Sequence, residues 1–197
     1  MFERGISRRH FVSAIPLTVL VTPRSLCGEV GSDSWDPSDA SGDLCQQARS
    51  PGFSGPFTEA EARAVAASPL AQGIGALHGR GYACSELILL AALRRFQLPE
   101  NHLNAAAVFG GGVGKRDLCG FLTGGLMAIG IAAGKKYADR AAMHRAGRVA
   151  SNAYWDWWLT RGDLHCMGPG TTHNTSEEFL RMSQRAAVKL EEVILNL

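Results

Sequence analysis

The sequence predicts an all-α protein, a compact bundle of about six helices behind a disordered N-terminal leader and linker. Three observations carry that reading. Apolar residues recur at helical spacing through most of the chain from residue 58 onward, alternating strand patterns are nearly absent, and capping sequences stand where the periodic segments begin. A chain of 197 residues, 46% of them hydrophobic, can bury one respectable core and seldom builds two.

The elements follow in order. Thr58-Glu59-Ala60-Glu61 is a capping box with Thr58 as the cap, and the Ala-rich helix it opens runs to Pro69. A second helix is expected over about 70–79 and a third over about 82–97, the latter closed by Leu98-Pro99. Asn101 or Asn104 starts a short helix reaching Phe109. After Gly110-Gly111-Gly112-Val113-Gly114, Asp117 is the expected cap of a helix through about residue 133, and another spans about 138–159. Asn174-Thr175-Ser176-Glu177-Glu178 opens the last helix, where Leu180, Ala187, Leu190 and Ile194 recur at helical spacing.

Residues 1–27 read as an address label. Arg8 and Arg9, in Ser7-Arg8-Arg9-His10-Phe11, precede a short and weakly apolar segment broken by Pro16. The arrangement resembles a twin-arginine signal, which implies the twin-arginine export machinery as a partner and a periplasmic or otherwise exported destination. That route carries folded proteins, often with a cofactor inserted. Residues 28–57, rich in Gly, Ser, Asp and Pro without apolar periodicity, are expected to form a flexible linker, leaving 58–197 as the helical domain.

The whole chain has 20 Lys+Arg against 18 Asp+Glu, but four of those arginines lie within the leader. From residue 28 on the balance is 16 basic to 17 acidic side chains, so no electrostatic footprint for nucleic acid remains.

Five cysteines are present, Cys27 within the leader and Cys45 in the linker, and none forms a C-x-x-C or C-x-x-C-H pair. Zinc ribbons and thioredoxin-type motifs are unsupported, and no covalent haem is expected. Cys84 shares a helical face with Leu87, Ile88 and Ala91, so its thiol is expected to point coreward. With Asp117 as cap, Cys119 falls in the first turn of its helix, where unpaired N–H groups and the helix dipole favour a thiolate. Leu122 and Leu126 turn the same face inward, which would let Cys119 meet Cys84 across the packed helices. The stripe Gly120, Thr123 and Gly124 admits close approach of another backbone or of a ligand. Cys166 lies in His165-Cys166-Met167-Gly168-Pro169-Gly170, a turn between the last two helices. His165, Met167 and His173 match no established metal site and read as surface loop.

The glycine loop fails both phosphate fingerprints. Phe109 occupies the first Walker glycine and Arg116 its hydroxyl position, and Lys115 stands where the dinucleotide motif needs its last glycine. Gly110, Gly111, Gly112, Gly114 and Lys115 remain candidates for an anion-holding turn beside Cys119. Tyr154-Trp155-Asp156-Trp157-Trp158 forms an aromatic patch suited to the core or, through Trp155 and Trp158, to homo-oligomer contact.

Taken together, Tyr82-Ala83-Cys84-Ser85-Glu86, the segment 109–114, the segment from Cys119-Gly120-Phe121-Leu122-Thr123-Gly124-Gly125 to Gly130, and Cys166 resemble the C_GCAxxG_C_C family over roughly residues 70–197. The resemblance implies a small α-helical domain whose cysteines carry redox or metal chemistry, with Cys84, Cys119 and Cys166 matching family cysteines. Phe121 stands where the family usually has a small residue, and no cysteine follows Cys166. A four-thiolate cluster is thus incomplete.

These observations support an exported redox-active protein, an oxidoreductase or electron carrier acting on an unidentified redox partner. Cys84, Cys119 and Cys166 are the redox candidates. Cys84 and Cys119 form a reversible disulfide or join Cys166 in holding a metal or iron–sulfur centre. A non-catalytic helical scaffold with structural cysteines is the competing reading, and an enzyme binding an anion at the glycine loop is a third.

Overall fold

The structure, a computed structural model of the chain, describes residues 55–161, 164–166 and 176–197. All of these belong to one unit of the fold, Gly42–Leu197. The leader with Arg8 and Arg9, most of the linker including Cys45, and the turn residues Met167 and His173 lie outside the described residues.

Six α-helices account for most of the described chain: α1 (Glu59–Ala67), α2 (Pro69–Leu77), α3 (Cys84–Arg95), α4 (Gly120–Lys136), α5 (Arg140–Arg161) and α6 (Glu177–Leu195). The expected all-α bundle is the observed architecture. A 3₁₀ segment (Glu100–Phe109) and a tight turn (Gly112–Arg116) connect α3 to α4, and among the described residues there is no strand beyond one isolated bridge.

Local chemistry sets the boundaries. Thr58 closes its capping box as expected, its hydroxyl accepting from the Glu61 N–H at 3.2 Å while the Glu61 carboxylate accepts from the Thr58 N–H at 2.9 Å. Ser68 ends α1 and caps α2, accepting from the Ala71 N–H at 3.1 Å, and Pro69 follows at the first helical position. Helix α3 ends in a Schellman motif: Gln97 takes a left-handed φ of 53°, Leu98 N–H donates to the Leu93 carbonyl at 2.8 Å, and Pro99 stops the chain. The segment expected to follow as a short helix is 3₁₀ and begins just after Pro99, not at an asparagine. It buries only Ala106, so it has no apolar stripe to fund a longer α-helix.

Helix α4 is the centre of the bundle, packed on α3, α5 and α6. Its residues Gly120 to Gly125, Ala128, Ile129, Ala132 and Ala133 are buried, leaving it apolar on nearly every side, as a helix surrounded by others must be. Small residues bring its neighbours close. A Cβ on Gly124 would come within 2.8 Å of Ile88 Cγ2 on α3, and one on Gly125 within 2.7 Å of Tyr154 Cζ on α5. The stripe of small residues therefore serves helix packing, with the backbone of α3 filling the space a ligand would need.

Tyr154 is fully buried and Trp158 is 2% exposed, while Trp155 and Trp157 are half-buried at the core's edge. The expectation of homo-oligomer contact through Trp155 and Trp158 loses Trp158, whose indole packs edge-on against Tyr154.

Two ion pairs, each with one buried partner, brace the outside. Arg185 of α6 grips both carboxylate oxygens of Glu61 at 2.9 and 3.0 Å, donates to the Gly55 and Pro56 carbonyls, and lies over the Phe57 ring. The last three linker residues are thus fastened to α6. Glu191, also buried, accepts from Ser68, from the Leu70 N–H and from Arg95, joining α6 to the start of α2 and the end of α3.

Candidate functional site

The three candidate cysteines come from separate elements and converge at one end of α4. Cys84 is the first residue of α3 and half-buried; the Glu86 carboxylate accepts from the Ala83 N–H at 2.9 Å and settles the turn that presents it. Cys119 is buried immediately before α4. Cys166 is half-buried on the segment after α5.

That segment is tied down. The Cys119 N–H donates to the Leu164 carbonyl and the Cys166 N–H to the Asp117 carbonyl, each at 2.7 Å, forming an antiparallel bridge between Leu118 and His165. The Asp117 carboxylate and His165 Nδ1 close the outer side at 3.0 Å. His165, expected as bystander surface loop, thus helps seat Cys166.

The expectation for Asp117 is corrected. Asp117 does not cap α4; Cys119 occupies the cap position itself and makes no side-chain capping hydrogen bond. The leading carboxylate is committed instead to His165.

The electrostatic expectation reverses as well. Burial pushes the Cys119 thiol up to about 12, and the neighbouring Cys84 adds to the rise. The N–H groups of Phe121 and Leu122, at the start of α4, pull in the opposite direction without prevailing, and Cys166 adds a smaller upward push. The helix-start effect exists, but desolvation in a dry core outweighs it. The Cys166 thiol is also raised, first by burial and then by Cys84, against the opposing charge of Arg116. These mutual influences place the three thiols in one electrostatic neighbourhood.

Glycines make that neighbourhood possible. The Cys84 sulfur lies where a Gly120 side chain would begin, and a Cβ on Gly112 would meet Cys166 Cβ at 2.7 Å and the Asp117 backbone more closely still. Gly112 also sits at φ 62° within a left-handed stretch running from Gly111 through Val113 to Gly114. A β-branched residue at φ 56°, as at Val113, is strained backbone held by its surroundings. The glycine loop shapes the wall beside Cys166. A Cβ on Gly110 would come within 2.5 Å of Ala83 Cβ, so Gly110 and Gly112 both serve close packing around the thiols.

Among the described residues the donor set does not fit the expected metal or iron–sulfur centre. Among the described residues no group of three or more His, Cys, Asp or Glu side chains is placed to hold a metal ion. Cys84, Cys119 and Cys166 are all free thiols, neighbours without forming a ligand cage.

Tyr154, named from the sequence only as part of the aromatic patch, reaches the head of α4. Its hydroxyl donates to the Phe121 carbonyl at 3.1 Å at the head of α4, and burial holds its proton well above the usual phenol range. The signal available was Gly125, whose missing side chain makes room for the Tyr154 ring.

A helical bundle presenting several cysteines beside glycine-rich turns defines a small thiol-bearing α-domain. Residues 82–187 match the family described as "Putative redox-active protein (C_GCAxxG_C_C)", and the chain belongs to that family. The match runs from just before Cys84 into α6 and takes in all three thiols. No curated protein and no solved structure matches the chain. Phe121, where the family resemblance leads one to expect a small residue, is fully buried and packs on Phe179 of α6 with ring centroids 4.9 Å apart.

Proposed function

We propose that the chain is an exported thiol–disulfide redox protein in which Cys84 and Cys119 exchange a dithiol for a disulfide. The observation that supports this most is the convergence of thiols from the start of α3 and the start of α4 at Gly120, where no side chain separates them. Export rests on Arg8 and Arg9 of the leader sequence. The partner is a disulfide of a small molecule or protein. Cys84, the less buried thiol of the pair, attacks as thiolate, one partner sulfur leaves as a thiol, and Cys119 then displaces the second. Two thiols are oxidised to Cys84–Cys119, and one partner disulfide is reduced to two thiols. Because its pKa is raised, the Cys119 thiolate leaves slowly in the reverse direction, which slows reduction of the disulfide.

Peptide mapping after equilibration with glutathione redox buffers tests the proposal. A disulfide linking Cys84 to Cys119, titrating as one two-electron couple, is the expected result. Three thiols that stay reduced across the whole range would leave the cysteines structural and favour the scaffold reading.

A further inference from the structure

We infer that the face formed by the first half of α5 is a docking surface for an anionic phospholipid bilayer. Elsewhere in the described fold Arg63, Arg94, Arg95, Arg161, Arg181, Arg185 and Lys189 pair with carboxylates, while Arg80, Lys115, Arg116, Lys135 and Lys136 do not. Helix α5 differs in gathering its cations in one row. Arg140, His144 and Arg148 stand at four-residue intervals along one exposed row, Arg145 lies beside them, and none of the four makes an ion pair or hydrogen bond among the described residues. Of the acids nearby, Asp139 turns its carboxylate to the Ala142 N–H and Glu192 pairs with Lys189.

A second feature adjoins the row. Arg145 and Val149 line a groove between α5 and α6 together with the buried Ala150 and Val193, and the paired Lys189 and Glu192 of α6 line it too. Val149 is 71% exposed, the most exposed large apolar side chain among the described residues, and it follows Arg145 by one helical turn. Unpaired cations with an apolar residue and an apolar trough beneath them match an interface of anionic headgroups over acyl chain. An acidic protein surface would answer the charges but leave Val149 and the groove unexplained.

Location separates this surface from the thiols. Cys119 heads α4, and the cationic row begins just beyond its other end, after 17 residues or about 25 Å of helix. A body bound there attaches the protein without covering Cys84 or Cys166, so the inference stands independently of the thiol reading. No described helix is long and apolar enough to cross a membrane, so the attachment is peripheral.

Co-sedimentation of the full chain with vesicles tests it. Wild type is expected to sediment with vesicles containing an equal part of phosphatidylglycerol, not with pure phosphatidylcholine, and to be released by high salt. Combined Arg140→Gln, Arg145→Gln and Arg148→Gln should weaken binding about a hundredfold, since each surface cation contributes about fivefold. All three side chains are exposed, and an unchanged circular dichroism melt confirms that the variant folds. Val149→Asn should reduce the binding that survives moderate salt, whereas Arg63→Gln should change nothing. Absence of wild-type binding, undiminished binding by the triple variant, or equally tight binding of soluble polyglutamate would each overturn the inference, the last in favour of an acidic protein partner.

Discussion

The sulfur of Cys84 rests against the backbone of Gly120, the residue next to Cys119, in the space where any other amino acid would carry its Cβ. The first turn of α3 and the first turn of α4 therefore meet backbone to side chain, and the contact that packs the bundle also brings Cys84 into the neighbourhood of Cys119. Core packing and the proposed thiol exchange thus depend on one position.

Gly120→Ala should accordingly be harmful where Ala is normally the better helix former. Alanine gains about 1 kcal/mol of helix propensity over glycine, but the added methyl collides with the Cys84 sulfur and crowds the Ser85 N–H. We expect a net loss of about 1–2 kcal/mol in urea unfolding and a slower, less complete Cys84–Cys119 oxidation. Gly130, on the same helix with nothing within 4 Å of its Cβ position, supplies the comparison. There the same substitution should stabilise by about 0.5–1 kcal/mol. Equal effects at both sites would contradict the close approach.

The thiols should separate by reactivity. With its pKa at about 12, Cys119 holds only about one thiolate in ten thousand at pH 8, so alkylation there should lag far behind Cys84 in the native protein. Its rate should climb about tenfold per pH unit above neutrality. The same shift makes Cys119 a liability in base: the thiol ionises at about 9 when unfolded and about 12 when folded, so the stability it lends is complete below pH 9 and is lost as pH rises towards 12. Time-resolved iodoacetamide labelling read by mass spectrometry is the check. Preferential labelling of Cys119 at pH 8 would mean that the helix start, not burial, governs its charge.

Much of the helical plan was legible because it rests on local chemistry. The Thr58 capping box, the Pro69 stop and the Leu98-Pro99 end each state their own geometry, and the periodic apolar residues of α6 announce one buried face. The site was legible only in its membership. Cys84, Cys119 and Cys166 could be named, but whether Cys119 is acidified or buried depends on how much protein covers it, which is a tertiary quantity. Asp117 misled for a related reason: an Asp before a helix is ordinarily its cap, and only the long-range bridge to His165 reveals another use. The meaning of Gly120 and Gly124 required knowing that α3 lies across them.

Trp158 tests the aromatic segment. At 2% exposure, packed edge-on to both Tyr154 and Trp157, it behaves as core, so Trp158→Ala should cost about 3–5 kcal/mol of stability. Trp155→Ala, at the half-buried margin, should cost markedly less. Thermal melts at two protein concentrations make the test discriminating. A Trp158→Ala protein with wild-type stability and altered association would restore the indole to an interface.

Glu61 gives the fold an acid-sensitive fastening. Hydrogen bonding from Arg185 holds its carboxyl at about 2, below the ordinary 4.5, aided by the Thr58 contacts and opposed by partial burial. Because the folded value is the lower one, the pair stabilises the protein fully above pH 4.5, and the contribution disappears as pH falls from 4.5 through 2. Glu61 keeps some solvent contact, which screens the pair, so about 1–2 kcal/mol is the appropriate scale rather than the full value of the shift. Protonating Glu61 weakens its pairing with the buried Arg185, while the Gly55 and Pro56 carbonyls and the Phe57 ring keep their contacts with the guanidinium, so the start of α1 should loosen from α6 first. Urea midpoints for wild type and Glu61→Gln, measured between pH 6 and pH 2, isolate this one group from the other carboxylates. The variant should be weaker at pH 6, and the gap should close as pH falls; two curves that descend in parallel would show that Glu61 contributes no acid sensitivity.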